Sequence, residues 1–137
     1  MEKIVNLIAE ILNIKKPTVK VDNSKLKTAT QMGALEIKNG KATVYLRNGL
    51  SQADKVFTLA HELRHYYQIV NGLVDKVHTV GTVDTKIYNE QEAEIDANAF
   101  AKIIMVNFLG ITPLFNGLDE WTKFRIDVRA NEIAKGP

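Results

Sequence analysis

The feature that most restricts how this chain can fold is residues 57–68, FTLAHELRHYYQ. It holds His61-Glu62-Leu63-Arg64-His65, two histidines four residues apart with a glutamate directly after the first. On a helix such positions lie almost above one another on one face. Two imidazoles can then approach one small cation from the same side. Glu62 falls about 100° further round the helix, where it reaches an attacking water rather than the ion, as a general base must. Val56, Leu59, Ala60, Leu63, Tyr67 and Val70 make one apolar stripe, and the histidines are expected on the opposite side. A lone helical histidine is ordinarily a satisfied core or surface side chain. Here a pair at helical spacing lies off a stripe that already supplies the core face, which favours metal binding.

A chain of 137 residues is expected to form one domain over 1–137, large enough to bury a core without cross-links. With 45% hydrophobic and 25% charged residues it reads as soluble and globular. The absence of cysteine excludes disulfides and thiolate metal sites and fits the cytoplasm. Glu2 and Glu10 interrupt the apolar residues at the start, and no small-residue cleavage site follows, so a mature helix is expected there rather than a signal peptide. No apolar run is long enough to span a bilayer. The net charge of +2 is small and spread along the chain, so neither direct nucleic-acid binding nor a membrane partner is expected.

Ile4, Leu7, Ile8, Ile11 and Leu12 predict a helix over the first fourteen residues, closed by Pro17. A partner-binding helix would show such a stripe, but packing on the chain's own core explains it more simply. Residues 18–22 form a candidate strand and 23–31 a polar loop. Stretches around 32–37 and 41–47 read as a hairpin turning at Lys38-Asn39-Gly40, because Asn-Gly supplies the positive φ angles of a tight turn. Ala42, Val44 and Leu46 alternate with Thr43, Tyr45 and Arg47, predicting a sheet with one buried face. An exposed edge strand there could hold an extended peptide by strand addition. The motif helix should begin at Ser51 or Asp54, run to about Val70 and end at Asn71-Gly72. A loop over 72–88 follows, containing His78, Gly81 and Tyr88. Asn89 is expected to cap a further helix with Glu92 reaching back. That helix should turn Ala93, Ala97, Phe100, Ala101, Ile104 and Phe108 inward and stop near Gly110. A last helix over 118–134 should carry Leu118, Trp121, Phe124 and Val128.

A catalytic metal needs a third side chain. An arrangement with a further histidine six residues after the second is excluded, since Gln68 and Asn71 occupy the positions it requires. His78 stays open on its loop. Among Glu90, Glu92, Glu94 and Asp96, Glu92 has a capping role, while Glu90, Glu94 and Asn98 share one stripe beside the alanines. Small residues there would let two helices approach closely. Glu94, with Asn98 one turn on as its neighbour or supporting partner, is the preferred geometry.

TLAHELRH followed by EAEIDANAFAKIIM resembles the ImmA/IrrE-type zinc metallopeptidases of mobile elements, phages and bacterial stress regulation. The likeness is concentrated in residues 56–70 and 89–106. It implies an α+β, zincin-like fold, with a small antiparallel sheet or hairpin packed on the HExxH helix and further helices around it. By that resemblance His61, His65 and Glu94 would bind Zn2+ and Glu62 would be the catalytic glutamate. The family commonly has glycine where Arg64 stands, and a Met-Pro pair where Met105 is followed by Val106. Gly81-Thr82-Val83-Asp84 also resembles the GTxD of aspartate-liganded zinc peptidases, which would make Asp84 the third ligand.

The expected activity is zinc-assisted peptide hydrolysis, a gluzincin-like metalloprotease reaction. Tyr88, His78 and Arg64 are candidates for stabilising the oxyanion. The resemblance implies a protein or peptide substrate such as a transcriptional repressor of a phage or mobile element. The rival is a non-catalytic regulatory binding module, an antirepressor or toxin–antitoxin partner on the same fold, which would have no need of Glu62. A purely structural zinc site normally takes four protein ligands.

Overall fold

The computed structural model describes residues 1–73 and 91–136. Helix α1 spans Glu2–Leu12. Strand β1 is Thr18–Val21, a 3-10 turn covers Asn23–Lys25, and strands β2 and β3 are Gly33–Lys38 and Lys41–Leu46. Helix α2 is Gln52–Val70, α3 is Glu92–Leu109 and α4 is Glu120–Lys135. The mixed α+β architecture is the one the sequence predicts.

Helix α1 ends with its apolar stripe at Leu12, short of the fourteen residues expected. Asn13 takes the left-handed conformation at φ 53°, and the amide of Ile14 donates back to the Ala9 carbonyl. This is a helix-terminating turn that asparagine tolerates, and it closes α1 before Pro17 is reached. Val5, Ile8, Ala9 and Leu12 are buried, whereas Ile11 is exposed.

The hairpin forms in the expected register, with Lys38 opposite Lys41 and Leu35 opposite Val44. Asn39 and Gly40 have φ of 53° and 74°, the pair of positive angles a two-residue hairpin turn needs. Strand β1 joins on the other side of β3 in parallel. The sheet is therefore mixed, in the order β1-β3-β2, with β3 central and the hairpin as its antiparallel part. Burial on β3 is less one-sided than its alternation implies. Tyr45 is buried beside Ala42, Val44 and Leu46, because its hydroxyl donates to Glu36 and the Lys25 ammonium lies over its ring.

Helix α2 is the centre. Ser51 caps it by accepting from the Asp54 amide at 3.1 Å, and Gly72, at φ 68°, follows its end. One core joins Ile8 and Leu12 of α1, Val44 and Leu46 of β3, Leu59 and Leu63 of α2, and Phe100 and Ile104 of α3. The Tyr66 hydroxyl donates to the Gly40 carbonyl at the hairpin turn. Gly33 lies close against Thr58 of α2. A Cβ there would collide with Thr58 Cγ2 and lie 2.9 Å from the Tyr45 carbonyl oxygen, so only glycine lets β2 start against α2.

Helix α3 is apolar on two sides. Phe100, Ala101, Ile104 and Met105 join the α2 core, while Ile95 and Ala99 pack with Ile126 and Ala130 of α4. Its start differs from the expected capping box. Gln91 occupies the cap position without a side-chain bond, and Glu92 pairs with Arg125 of α4. Asn89 and Glu90 lie outside the described residues. Phe108, expected inside, is exposed. Helix α4 begins at Asp119, whose carboxylate accepts from the Thr122 amide at 2.8 Å. Of the apolar residues expected there, Leu118 packs on the core between α3 and α4, whereas Trp121, Phe124 and Val128 face outward, because Thr122, Ile126 and Ala130 are the residues that α4 buries.

Candidate metal centre

His61 and His65 stand one turn apart on α2, and Glu94 lies in the first turn of α3. The packing of α2 on α3 brings the three together. The two histidine Nε2 atoms are 3.2 Å apart. Glu94 Oε1 is 3.1 Å from His61 Nε2, and Glu94 Oε2 is 2.7 Å from His65 Nε2. Donors bound at about 2.0–2.1 Å in a tetrahedron sit about 3.3 Å from one another. The 3.1 and 3.2 Å spacings are close to that edge length and the 2.7 Å one is shorter, and two imidazole nitrogens with a carboxylate are a borderline-soft donor set of the kind zinc takes. The group could therefore hold a metal ion.

The histidines are not on an open face opposite the core, as the stripe on α2 suggests. His65 and Glu94 are each 1% exposed, and His61 is only partly exposed. Helix α3 covers them, so α2 is buried on both sides: apolar residues join the core with the sheet, α1 and part of α3, and polar ones meet the start of α3. Ala97 and Ala101 of α3 are fully buried, in line with the close approach expected of small residues. Beside the group, the Phe57 ring stacks on His61 at 6.0 Å, and Phe115, from the connection between α3 and α4, meets Phe57 edge-on.

Glu62 is partly exposed and is not one of the converging donors. Among the described residues it makes no hydrogen bond or ion pair.

Arg64 does something other than offer an oxyanion donor. It is 6% exposed, and its Nε and Nη2 donate to the two oxygens of Asp96 at 2.7 and 3.0 Å. Its guanidinium lies between the rings of Tyr67 and Phe100. Arg129 of α4 donates to Asp96 as well, at 2.7 Å. Burial alone would raise the Asp96 carboxyl, but the hydrogen bonds from Arg64, Gln68 and Arg129 and the Arg64 charge outweigh it and hold it below the usual carboxylate range. Gln68 donates from Nε2 to the Ala93 carbonyl at 2.9 Å and to Asp96 at 2.8 Å. Its Oε1 is 2.9 Å from His65 Nδ1. Asn98, expected to support Glu94, is buried but makes no hydrogen bond to it among the described residues.

Gln68 and Arg129 were not among the residues the sequence picks out, and Asp96 appeared there only as a candidate ligand. The available signal was the one-turn spacing of Arg64 and Gln68 beside His65. The partner that gives it meaning is thirty residues away in the chain, on another helix. His78, Asp84 and Tyr88 lie outside the described residues.

The family model Peptidase_M78, described as the IrrE N-terminal-like domain, matches residues 12–121. No curated protein and no solved structure matches the chain significantly. The match covers most of the chain, including α2, α3 and all three strands.

Proposed function

We propose, from the chain's membership of the Peptidase_M78 (IrrE N-terminal-like) family, that it is a zinc-dependent peptidase with His61, His65 and Glu94 as ligands and Glu62 as the catalytic glutamate. The observation that carries the reading is the convergence of those three donors from two helices, with the neighbouring carboxylate left outside the set. Zinc on these groups would polarise the scissile carbonyl and lower the pKa of water toward neutrality. Glu62 takes the proton of the attacking water and passes it to the leaving amine. The oxyanion calls for a further donor, and Arg64 is committed to Asp96.

Among the described residues strand β2 is an edge of the sheet, and Gly33 at its start rests against Thr58, one turn before His61. An extended peptide adding to that edge would run close to the metal helix. No described helix is long and apolar enough to cross a membrane. The substrate we favour is a cytoplasmic protein, a repressor of a phage or mobile element cut at few sites, with no nucleic acid bound directly by this chain. That choice follows the family resemblance.

The discriminating experiment is Glu62→Gln, read by metal content and by cleavage of a candidate repressor. A peptidase keeps its metal and loses about 10²–10⁴-fold in rate. Unchanged function with the substitution in place would instead favour the regulatory binding module.

A further inference from the structure

The chain of contacts from His65 outward fixes more than packing. Gln68 is 2% exposed, and its side-chain nitrogen faces two groups that can only accept, the Ala93 carbonyl and the Asp96 carboxylate. Turning the amide over would place its oxygen against both. The orientation is therefore set, with Nε2 toward Ala93 and Asp96 and Oε1 toward His65. An oxygen facing His65 Nδ1 at 2.9 Å requires that Nδ1 carry the proton. Nε2 then faces His61 and Glu94, 2.7 Å from Glu94 Oε2, where it would offer its lone pair once a metal takes the place of its proton. Asp96 in turn is held by Arg64 from α2 and Arg129 from α4, so the amide has a firm anchor.

We propose that Gln68 is a positioning residue: anchored on Asp96, it holds the proton of His65 on Nδ1, fixes the ring, and so raises the affinity of the His61–His65–Glu94 group for its metal. The affinity part rests on the metal reading above. A histidine ligand whose second nitrogen is held by a hydrogen bond is both oriented and more basic, and loss of such a partner typically weakens metal binding about 10–100-fold. Helix α4 takes part without touching the site, because Arg129 steadies Asp96 from outside the α2–α3 pair.

The test uses the whole chain, with Gln68→Met, which is close in size but offers no amide. Zinc affinity is measured by competition with a chelator, imidazole protonation by nitrogen-15 shifts of metal-free protein, and folding by thermal melting. The expected result is a zinc Kd weakened about 10–100-fold in Gln68→Met, with His65 losing its Nδ1 proton and keeping one on Nε2. A purely structural role would lower the melting temperature and leave Kd and the nitrogen shifts alone, which would overturn the proposal. If Gln68→Met does not fold, the wild type still decides. An Nδ1 of His65 found without a proton in metal-free protein refutes the relay. Failure of the wild type to bind zinc would fall on the metal reading, whereas the nitrogen shifts judge the relay by themselves.

Discussion

The seam between α2 and α3 and the outer face of α4 break the usual arrangement of side chains in opposite directions. The seam buries a histidine, a glutamate, a glutamine and an arginine. The outer face of α4 leaves Trp121 at 62% and Phe124 at 56% exposure, their rings stacked at 5.7 Å. A buried polar group is costly unless it is bonded, so each of those in the seam must have a partner of the right kind in the right place. Exposed apolar groups make no such demand, since much of any folded surface is apolar. The seam is consequently a specified structure, and the outer face of α4 is a tolerant one.

That contrast makes substitutions on the two sides unequal. The largest stability effect is expected for Asp96→Ala, which leaves Arg64 buried without its carboxylate. Loss of one partner from such a pair costs about 3–5 kcal/mol, read by urea unfolding of metal-free protein. The effect carries a pH signature. The Asp96 carboxyl is held below its ordinary range, so its contribution is complete above the unfolded carboxylate pKa of about 3.9 and is lost as pH falls through the folded value. The gap between wild type and variant should therefore narrow on acidification. A constant gap would mean that lost packing, not charge, dominates.

Within α4 the two kinds of surface lie two residues apart. Ile126 is fully buried, and Ile126→Ala should cost about 2–5 kcal/mol. Phe124→Gln on the outer face should change stability by less than about 0.5 kcal/mol. Similar losses for the two would show that the outer face is covered in solution and would erase the distinction drawn here.

How far the sequence reveals this depends on whether a contact is local. The Asn39-Gly40 turn, the Ser51 cap and the His61–Glu62–His65 spacing are short-range patterns, and each appears where the residues place it. The grouping of Glu94 with the histidines was approached through the alanines of α3, which indicated close packing on α2. The burial of His65 was not readable, because the stripe on α2 shows which face is apolar but not that a second helix covers the other face. Helix α4 misled for a related reason. Trp121, Phe124 and Val128 look like a core stripe, yet Thr122 and Ala130 are small enough to lie against α3 beside Ile126, and the larger residues are left outside. The parallel placement of β1 follows from a pairing more than twenty residues apart, with no local signal.

The central claim is that His61, His65 and Glu94 hold one metal ion together. It is tested most directly by metal content, measured by mass spectrometry on purified wild type, His61→Ala, Glu94→Ala and Asp84→Ala. The account predicts about one zinc per wild-type chain, in line with a three-ligand catalytic site, lost in His61→Ala and Glu94→Ala and kept in Asp84→Ala. Zinc retained in Glu94→Ala but lost in Asp84→Ala, or no metal in the wild type even after zinc is supplied, would contradict it.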